Sequence, residues 1–464
     1  MPKKKTALTI EERLQQALVP AEEQPYEVPE NWVWVRLGAI AEIVTGGTPS
    51  KKHPEYYGGN FPFYKPSDLD QGRLTYDASE YLSEEGKKVS RIIPKNSTAV
   101  CCIGSIGKCG YLMCEGTTNQ QINSAIPKIN SLCLYYYLCT ENFVQNLLSM
   151  ASATTIAIVN KSKMESCAFP LPPLSEQQRI VERIEELFAK IDEAKERLQE
   201  AADSFAVRKA AILHKAFTGE LTQQWRRENG VSDESWEDVS LDSVCKSIYD
   251  GDHMPPPKSE TGIPFLVISN VNTGFISFEK CRFVPEEYYD GLSETRTPEI
   301  GDILYTIVGS YGIPVMVDTD KKFCFQRHMA LLKPKDIYNR FLWRQLQTQS
   351  FFEQATSIAT GTAQLTVPIK GLRKLIVKCP TLPEQHEIVR LIDDLLARER
   401  AAQQAAEQAL ASIDLMKKSI LARAFRGELG TNKASEASRA GAFAAGAGGK
   451  LKLNKNQDLG SGKS

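Results

Sequence analysis

The feature that most constrains the fold of this chain is an internal repeat. Leu174-Ser175-Glu176-Gln177 returns as Leu382-Pro383-Glu384-Gln385, and Ile180-Val181 returns as Ile388-Val389, both at an offset of 208 residues. The string Leu213-His214-Lys215-Ala216-Phe217-Thr218-Gly219-Glu220-Leu221 returns at the same offset as Leu421-Ala422-Arg423-Ala424-Phe425-Arg426-Gly427-Glu428-Leu429. A constant offset over about 48 residues means that neither copy has gained or lost a residue. Upstream the correspondence is looser: Trp32-x-x-Val35-x-Leu37 matches Trp236-x-x-Val239-x-Leu241, Pro62-Phe63 matches Pro264-Phe265, and Gly104-Ser105-Ile106-Gly107 matches Gly309-Ser310-Tyr311-Gly312. Gln120 falls opposite Gln326, and these offsets drift from 202 to 206, as loops of unequal length require. The order is variable segment, constant segment, variable segment, constant segment.

The constant segments read as long helices. Positions 180, 184, 187, 191, 194, 198, 201, 205, 208 and 212 alternate spacings of four and three, and all but Arg208 are apolar. That is a heptad seam. The second copy places Ile388, Ile392, Leu395, Glu399, Ala402, Ala406, Ala409, Ile413, Met416 and Ile420 on the same template. Each helix is about 40 residues and so roughly 60 Å long. Neither buries its stripe alone, so an antiparallel pair within one chain is expected, in place of two helices packed separately on their own domains.

The variable segments carry short β-rich runs, such as Ser97 to Ile103 and Ile303 to Val308, punctuated by Gly, Pro, Asn and Asp. Helical stretches follow at Tyr135 to Leu148 and Asn339 to Ala355. The expected class is α+β: two α+β recognition domains separated by two long helices that form an antiparallel coiled coil, an internal repeat with pseudo-two-fold character. The boundaries are residues 1–27 for an N-terminal extension with a short helix capped near Thr9, 28–171 for the first domain and 172–221 for the first helical spacer. Residues 222–379 form the second domain, 380–429 the second spacer and 430–464 an Ala-, Gly-, Ser- and Lys-rich disordered tail.

Charge is balanced, with 56 Lys+Arg against 57 Asp+Glu, so any nucleic-acid face must be local. No apolar run of membrane-spanning length occurs, and no secretory signal is expected after Met-Pro-Lys-Lys-Lys. The eleven cysteines show no Cys-x-x-Cys and no His at zinc spacing, which points to reduced, buried thiols and no metal site.

Taken together, the two Leu-x-Glu-Gln helix starts, the two Ala-Phe-x-Gly-Glu-Leu helix ends, the two Trp-x-x-Val-x-Leu strings and the glycine loops Thr45-Gly46-Gly47-Thr48-Pro49-Ser50-Lys51 and Tyr249-Asp250-Gly251-Asp252-His253 resemble the specificity subunits of type I DNA restriction–modification systems. The resemblance covers roughly residues 28–429. It implies a chain without catalysis of its own, whose two domains each read one half of a split, asymmetric DNA target. It implies that the helices space the domains and dock two methyltransferase subunits, and that translocase/nuclease restriction subunits join this core in the cytoplasm. S-adenosylmethionine, ATP and Mg then belong to the partners and no cofactor to this chain. The sequence agrees: it has no Asn-Pro-Pro-Tyr/Phe tetrad, and Gly460-Ser461-Gly462-Lys463-Ser464 lacks the first glycine of a phosphate loop, since Gln457 stands there. Two other classes compete. A fused methyltransferase or nuclease would transfer methyl groups from S-adenosylmethionine unaided, and a protein-binding scaffold would have no DNA affinity.

Reading a duplex needs donors and acceptors against base edges, with Lys and Arg on phosphates. Loops with glycine approach closely because no Cβ intervenes. The first-half candidates are Thr48, Ser50, Lys51, Lys52, Lys65, Ser67, Asp68, Ser105, Lys108, Asn119, Gln120 and Gln121. The second-half candidates are Asp252, His253, Lys258, Ser269, Asn270, Asn272, Ser310, Tyr311, Gln326, Arg327, His328 and Gln364. Lys51, Lys52 and Lys108 suit phosphates. Asp68 and Asp252 also suit turn capping. His253 and His328 also suit structural hydrogen bonds, and the tyrosine runs at 56–57 and 135–137 suit packing.

If the helices are a spacer, their length sets the gap between half-sites. One added heptad lengthens a helix by about 10.5 Å, close to three base pairs at 3.4 Å each. Inserting a heptad near both Ala201 and Ala409 is expected to leave both half-site sequences intact and widen the gap, scored by binding to duplexes of graded gap length. A folded variant that keeps the original preference would show that the helices are not the ruler.

Overall fold

A computed structural model of the protein describes residues 16–70, 74–152, 157–252, 256–362 and 364–436. They belong to two units, Met1–Glu196 with Ala411–Ser464, and Arg197–Leu410. The capping site expected at Thr9 and the glycine-rich end of the chain lie outside the described residues.

In the first unit a five-stranded sheet has the order 41–45, 122–127, 98–101, 109–112, 74–75, and a three-stranded sheet has the order 80–82, 57–64, 117–118. A third pairing, Val33–Arg36 antiparallel to Ala168–Leu171, brings the two ends of the domain together. The second unit repeats the plan with strands 245–250, 329–334, 303–306 and 314–316 in one sheet, 282–284, 263–266 and 324–325 in another, and Glu237–Ser240 against Ile376–Cys379 at the closure. Each domain is α+β, as the strand-rich runs and later helical stretches imply. Each helical stretch is two helices, not one: Ser131–Leu138 and Glu141–Ser149 in the first domain, Asn339–Gln345 and Gln349–Ser357 in the second. Thr140 and Thr348 interrupt them, because each hydroxyl accepts from a backbone N–H of the next helix, Phe143 N at 3.2 Å and Phe351 N at 3.3 Å.

The constant segments are helical over Leu174–Asp203, Phe205–Phe217 and Leu382–Ala424. Ser204 marks a local irregularity, where its hydroxyl back-bonds to the Ala201 carbonyl at 3.0 Å. Gly219 and Gly427 terminate the two copies at positive φ, +80° and +76°. Within the first unit the helices run antiparallel: Glu176 meets Asn432, and Asp192 pairs with Lys417 at 2.5 Å. Within the second they do so again, with Arg208 on Glu399 and Arg226 on Glu384.

The heptad template holds at successive positions where each helix starts, with Ile180, Ile184, Ile388 and Ile392 all buried, and at alternate positions further along the second helix. Ile392, Ala406 and Ile413 are buried as expected, whereas Ala402 and Met416 are exposed, and the intervening seam positions sit one residue later at Leu396, Gln403, Leu410 and Lys417. Ala194 and Ala201 are likewise exposed in the first copy. The 4-3 and 3-4 templates share every second position, and alanines do not discriminate between them.

The repeated Glu-Gln pair anchors the start of each constant segment to its domain. Gln177 donates to the Pro172 carbonyl at 3.0 Å and accepts from Asn130 N at 3.1 Å; Gln385 donates to Pro380 at 2.8 Å and accepts from Tyr338 N at 2.8 Å. Each glutamine ties the first turn of the long helix to the start of the domain helix at 131 or 339. Both glutamates are fully buried. Glu176 accepts from the Trp32 indole at 2.7 Å, Asn432 at 2.9 Å and the Thr431 hydroxyl at 3.3 Å. Glu384 accepts from the Thr222 hydroxyl and from Arg226, both at 2.7 Å. Each carboxylate thus holds the segment that follows the end of the other helix. As a result residues 431–436, assigned by composition to the tail, are tied down: Arg179 grips Glu436 with two hydrogen bonds of 2.9 Å.

The first unit's core joins Ile180, Val181 and Ile184 to Leu421, Ala424 and Phe425, and the second joins Leu213, Ala216 and Phe217 to Ile388 and Ile392. All eleven cysteines are free. Burial pushes the Cys102 and Cys245 thiols up, to about 11 and about 12. No helix among the described residues is long and apolar enough to cross a membrane.

Breaking a buried ion pair by removing one partner leaves the other charge uncompensated. Glu384→Ala is expected to destabilise the protein by about 3 kcal/mol, read as a lower urea midpoint, whereas Glu228→Ala on an exposed helix face stays within about 0.5 kcal/mol. Equal midpoints for the two would remove the glutamate from its role in holding the fold.

Candidate nucleic-acid interface

In each domain a three-residue corner joins the small sheet to the large one. Asn119 N donates to Tyr64 O at 3.0 Å, and Ile122 N closes back onto Asn119 O at 3.2 Å. Gln326 N donates to Leu266 O at 3.0 Å, and Met329 N closes onto Gln326 O at 3.1 Å. These bonds make Asn119, not Gln120, the counterpart of Gln326, one residue away from the sequence pairing; Gln120 corresponds to Arg327 and Gln121 to His328. The outer two side chains of each corner latch together, Asn119 Nδ2 to Gln121 Oε1 at 2.9 Å and Gln326 Nε2 to His328 Nδ1 at 2.9 Å. Burial, aided by the adjacent Arg327 charge, holds the His328 pKa below the usual histidine value, which keeps Nδ1 free to accept. The middle residues, Gln120 and Arg327, are exposed.

The glycine loops are built around these corners. Gly46 donates to Ile122 O at 2.9 Å, and a Cβ there would lie 2.2 Å from Asn119 O. At Gly251 a Cβ would lie 2.4 Å from Phe325 O. Only glycine permits these approaches. The first brings Thr48 to Gln120, hydroxyl to Oε1 at 2.5 Å, and the second pairs Asp252 with Gln326 in a β-bridge. Ser50, Lys51 and Lys52 continue the first loop, all exposed.

The second glycine loop of each domain starts from strands bonded to the same corners, Cys102 N to Gln121 O at 2.7 Å and Ile307 N to His328 O at 2.9 Å. Gly107 and Gly312 have φ of +87° and +92°, and their missing side chains leave room for Val144 and Phe352. Ser105 and Ser310 are the exposed tips, and Lys108 is half-buried at the loop's foot. Gln364 lies over Gly309, in a loop closed by the Thr360–Thr366 bridge. The first domain has the same closure at Ser152–Ile158, which the sequence reading did not single out. The offset of 208 was the available signal.

Other candidates have structural partners. Asp68 and Asn270 are buried and accept from the backbone three residues earlier, Lys65 N at 2.7 Å and Val267 N at 3.0 Å, so the pair are equivalent turn-holders. Lys65 is paired with Glu80 at 2.7 Å. Asp252 accepts from the Tyr288 hydroxyl at 3.3 Å. Tyr311 stacks on Phe352, with centroids 5.5 Å apart, and bonds Thr356. Ser67, Ser269, Lys258 and Asn272 are exposed, and Asn272 lines a groove with Phe275 and Trp343. His253 lies outside the described residues. Tyr135, Tyr136 and Tyr137 are buried packing residues.

Comparison with known proteins places this architecture. The family described as type I restriction modification DNA specificity domain matches residues 29–202 and 233–409. The EcoBI type I restriction enzyme specificity subunit of Escherichia coli is 26% identical over 430 residues, 87% of each chain. The MjaVIII specificity subunit of Methanocaldococcus jannaschii is 27% identical over 82% of this chain and 91% of its own. Among solved structures, the HsdS subunit from Thermoanaerobacter tengcongensis superposes with a TM-score of 0.63 at 20% identity, over 88% of this chain and 99% of that one.

Phosphate contacts add affinity without sequence information. Lys51→Ala is expected to weaken binding to all duplexes alike and to reduce the slope of log K against log salt by about one unit. An unchanged slope would place Lys51 off the DNA.

Proposed function

Since the chain belongs to the type I restriction–modification DNA specificity family, we propose that it reads a bipartite, asymmetric DNA target, one half-site per domain, and adds no chemistry of its own. The observation that carries this reading is the repeated corner: one backbone scaffold occurs twice, and it presents different exposed side chains in the two domains. A shared scaffold with unlike reading residues is what an asymmetric split target requires. Methyltransferase subunits dock on the long helices and bring S-adenosylmethionine; restriction subunits bring ATP and Mg. The assembly works in the cytoplasm, where its DNA is.

Each domain closes on itself through its own strand pair, 33–36 with 168–171 and 237–240 with 376–379. Replacing residues 32–170 with another family member's first domain is therefore expected to change one half of the methylated motif and leave the other half and the gap intact, as read by methylome sequencing. A change in both halves would show that the domains do not read independently, and methyl transfer by the pure chain alone would make it an enzyme.

A further inference from the structure

The polar side chains that flank the middle residue of each corner are committed to the protein. Asn119, Gln121, Gln326 and His328 latch to one another in pairs, and Asp68 and Asn270 hold turns. The residue between each latched pair projects outward. Arg327 is exposed and has no hydrogen bond or ion pair among the described residues. Gln120 is exposed and is steadied by one neutral donor, the Thr48 hydroxyl, which occupies only one of the acceptor sites on Oε1. Both stand on backbone fixed on both sides by sheet hydrogen bonds, so each is held in a set position although its side chain is free to meet a ligand. This is the arrangement that direct readout needs: a rigid support under a side chain with unspent donors and acceptors.

We infer that Gln120 and Arg327 are equivalent base-reading residues, Gln120 contacting an adenine in one half-site and Arg327 a guanine in the other. The inference rests on the DNA-reading function proposed above. The chemistry follows from the side chains: a glutamine amide matches adenine N6 and N7, and a guanidinium fork matches guanine O6 and N7. The Thr48 bond orients the Gln120 amide, so Thr48 is a positioning residue for that contact.

The test uses the full chain in complex with its methyltransferase and a panel of duplexes in which each target base pair is replaced in turn. Arg327→Ala is expected to lower discrimination at one guanine position by roughly 10- to 100-fold and to leave every position of the other half-site unchanged. Arg327→Lys keeps the charge and loses the fork, and is expected to relax the same position while retaining more affinity. Gln120→Ala is expected to relax one adenine position in the opposite half-site. Affinity that falls equally on all duplexes, with base preferences intact, would make Arg327 a phosphate contact and overturn the inference. Preferences that survive both alanine variants would do the same. If the unsubstituted complex shows no preference among duplexes, it is the DNA-reading function that fails.

Discussion

Two buried carboxylates hold the helices to the domains they carry. Glu176 and Glu384 sit at the first turn of a long helix, fully shielded from water, and each binds the segment that follows the end of the other helix. A buried carboxylate is costly unless its acceptor capacity is met. Meeting it, through both oxygens of Glu176 but through Oε1 alone of Glu384 among the described residues, requires the returning segment to arrive at a fixed place, and the adjacent Gln177 or Gln385 fixes the domain helix at the same point. Helix start, helix end and domain are thereby joined at one junction in each unit.

The two junctions are not identical. The first uses an indole and an amide where the second uses a guanidinium, and the Trp236 indole nitrogen, counterpart of the Trp32 donor, is buried with no partner among the described residues. The carboxylate is the common element, and the donors around it have diverged. The same pattern recurs at the corners, where Asn119 with Gln121 and Gln326 with His328 make the same latch from different side chains.

Much of this was legible in the residues. The 208-residue offset pointed to an antiparallel pair of long helices, and the glycines at 46, 107, 251 and 312 marked real close approaches. The seam phase was not legible through alanine-rich stretches, because alanine packs acceptably on either template. Nor was the alignment of Asn119 with Gln326, since side-chain identity favoured Gln120 and only backbone hydrogen bonds reveal the corner. Asp68, which also suited turn capping, and Asn270, which was read only as a DNA contact, both hold turns, because an Asx side chain offers the same atoms to a base edge as to its own backbone.

The way the core of the first unit is completed has a consequence for biosynthesis. Leu421, Ala424 and Phe425 are buried among residues from the first 190 of the chain, with Phe425 fully enclosed against Tyr137 and Phe169. Those side chains leave the ribosome only after the whole second domain has been made. The second unit has its contributions from Leu213, Phe217 and Leu396 in hand earlier. The domain that is translated first is therefore finished last, and for the duration of synthesis of more than two hundred residues it carries an open apolar face.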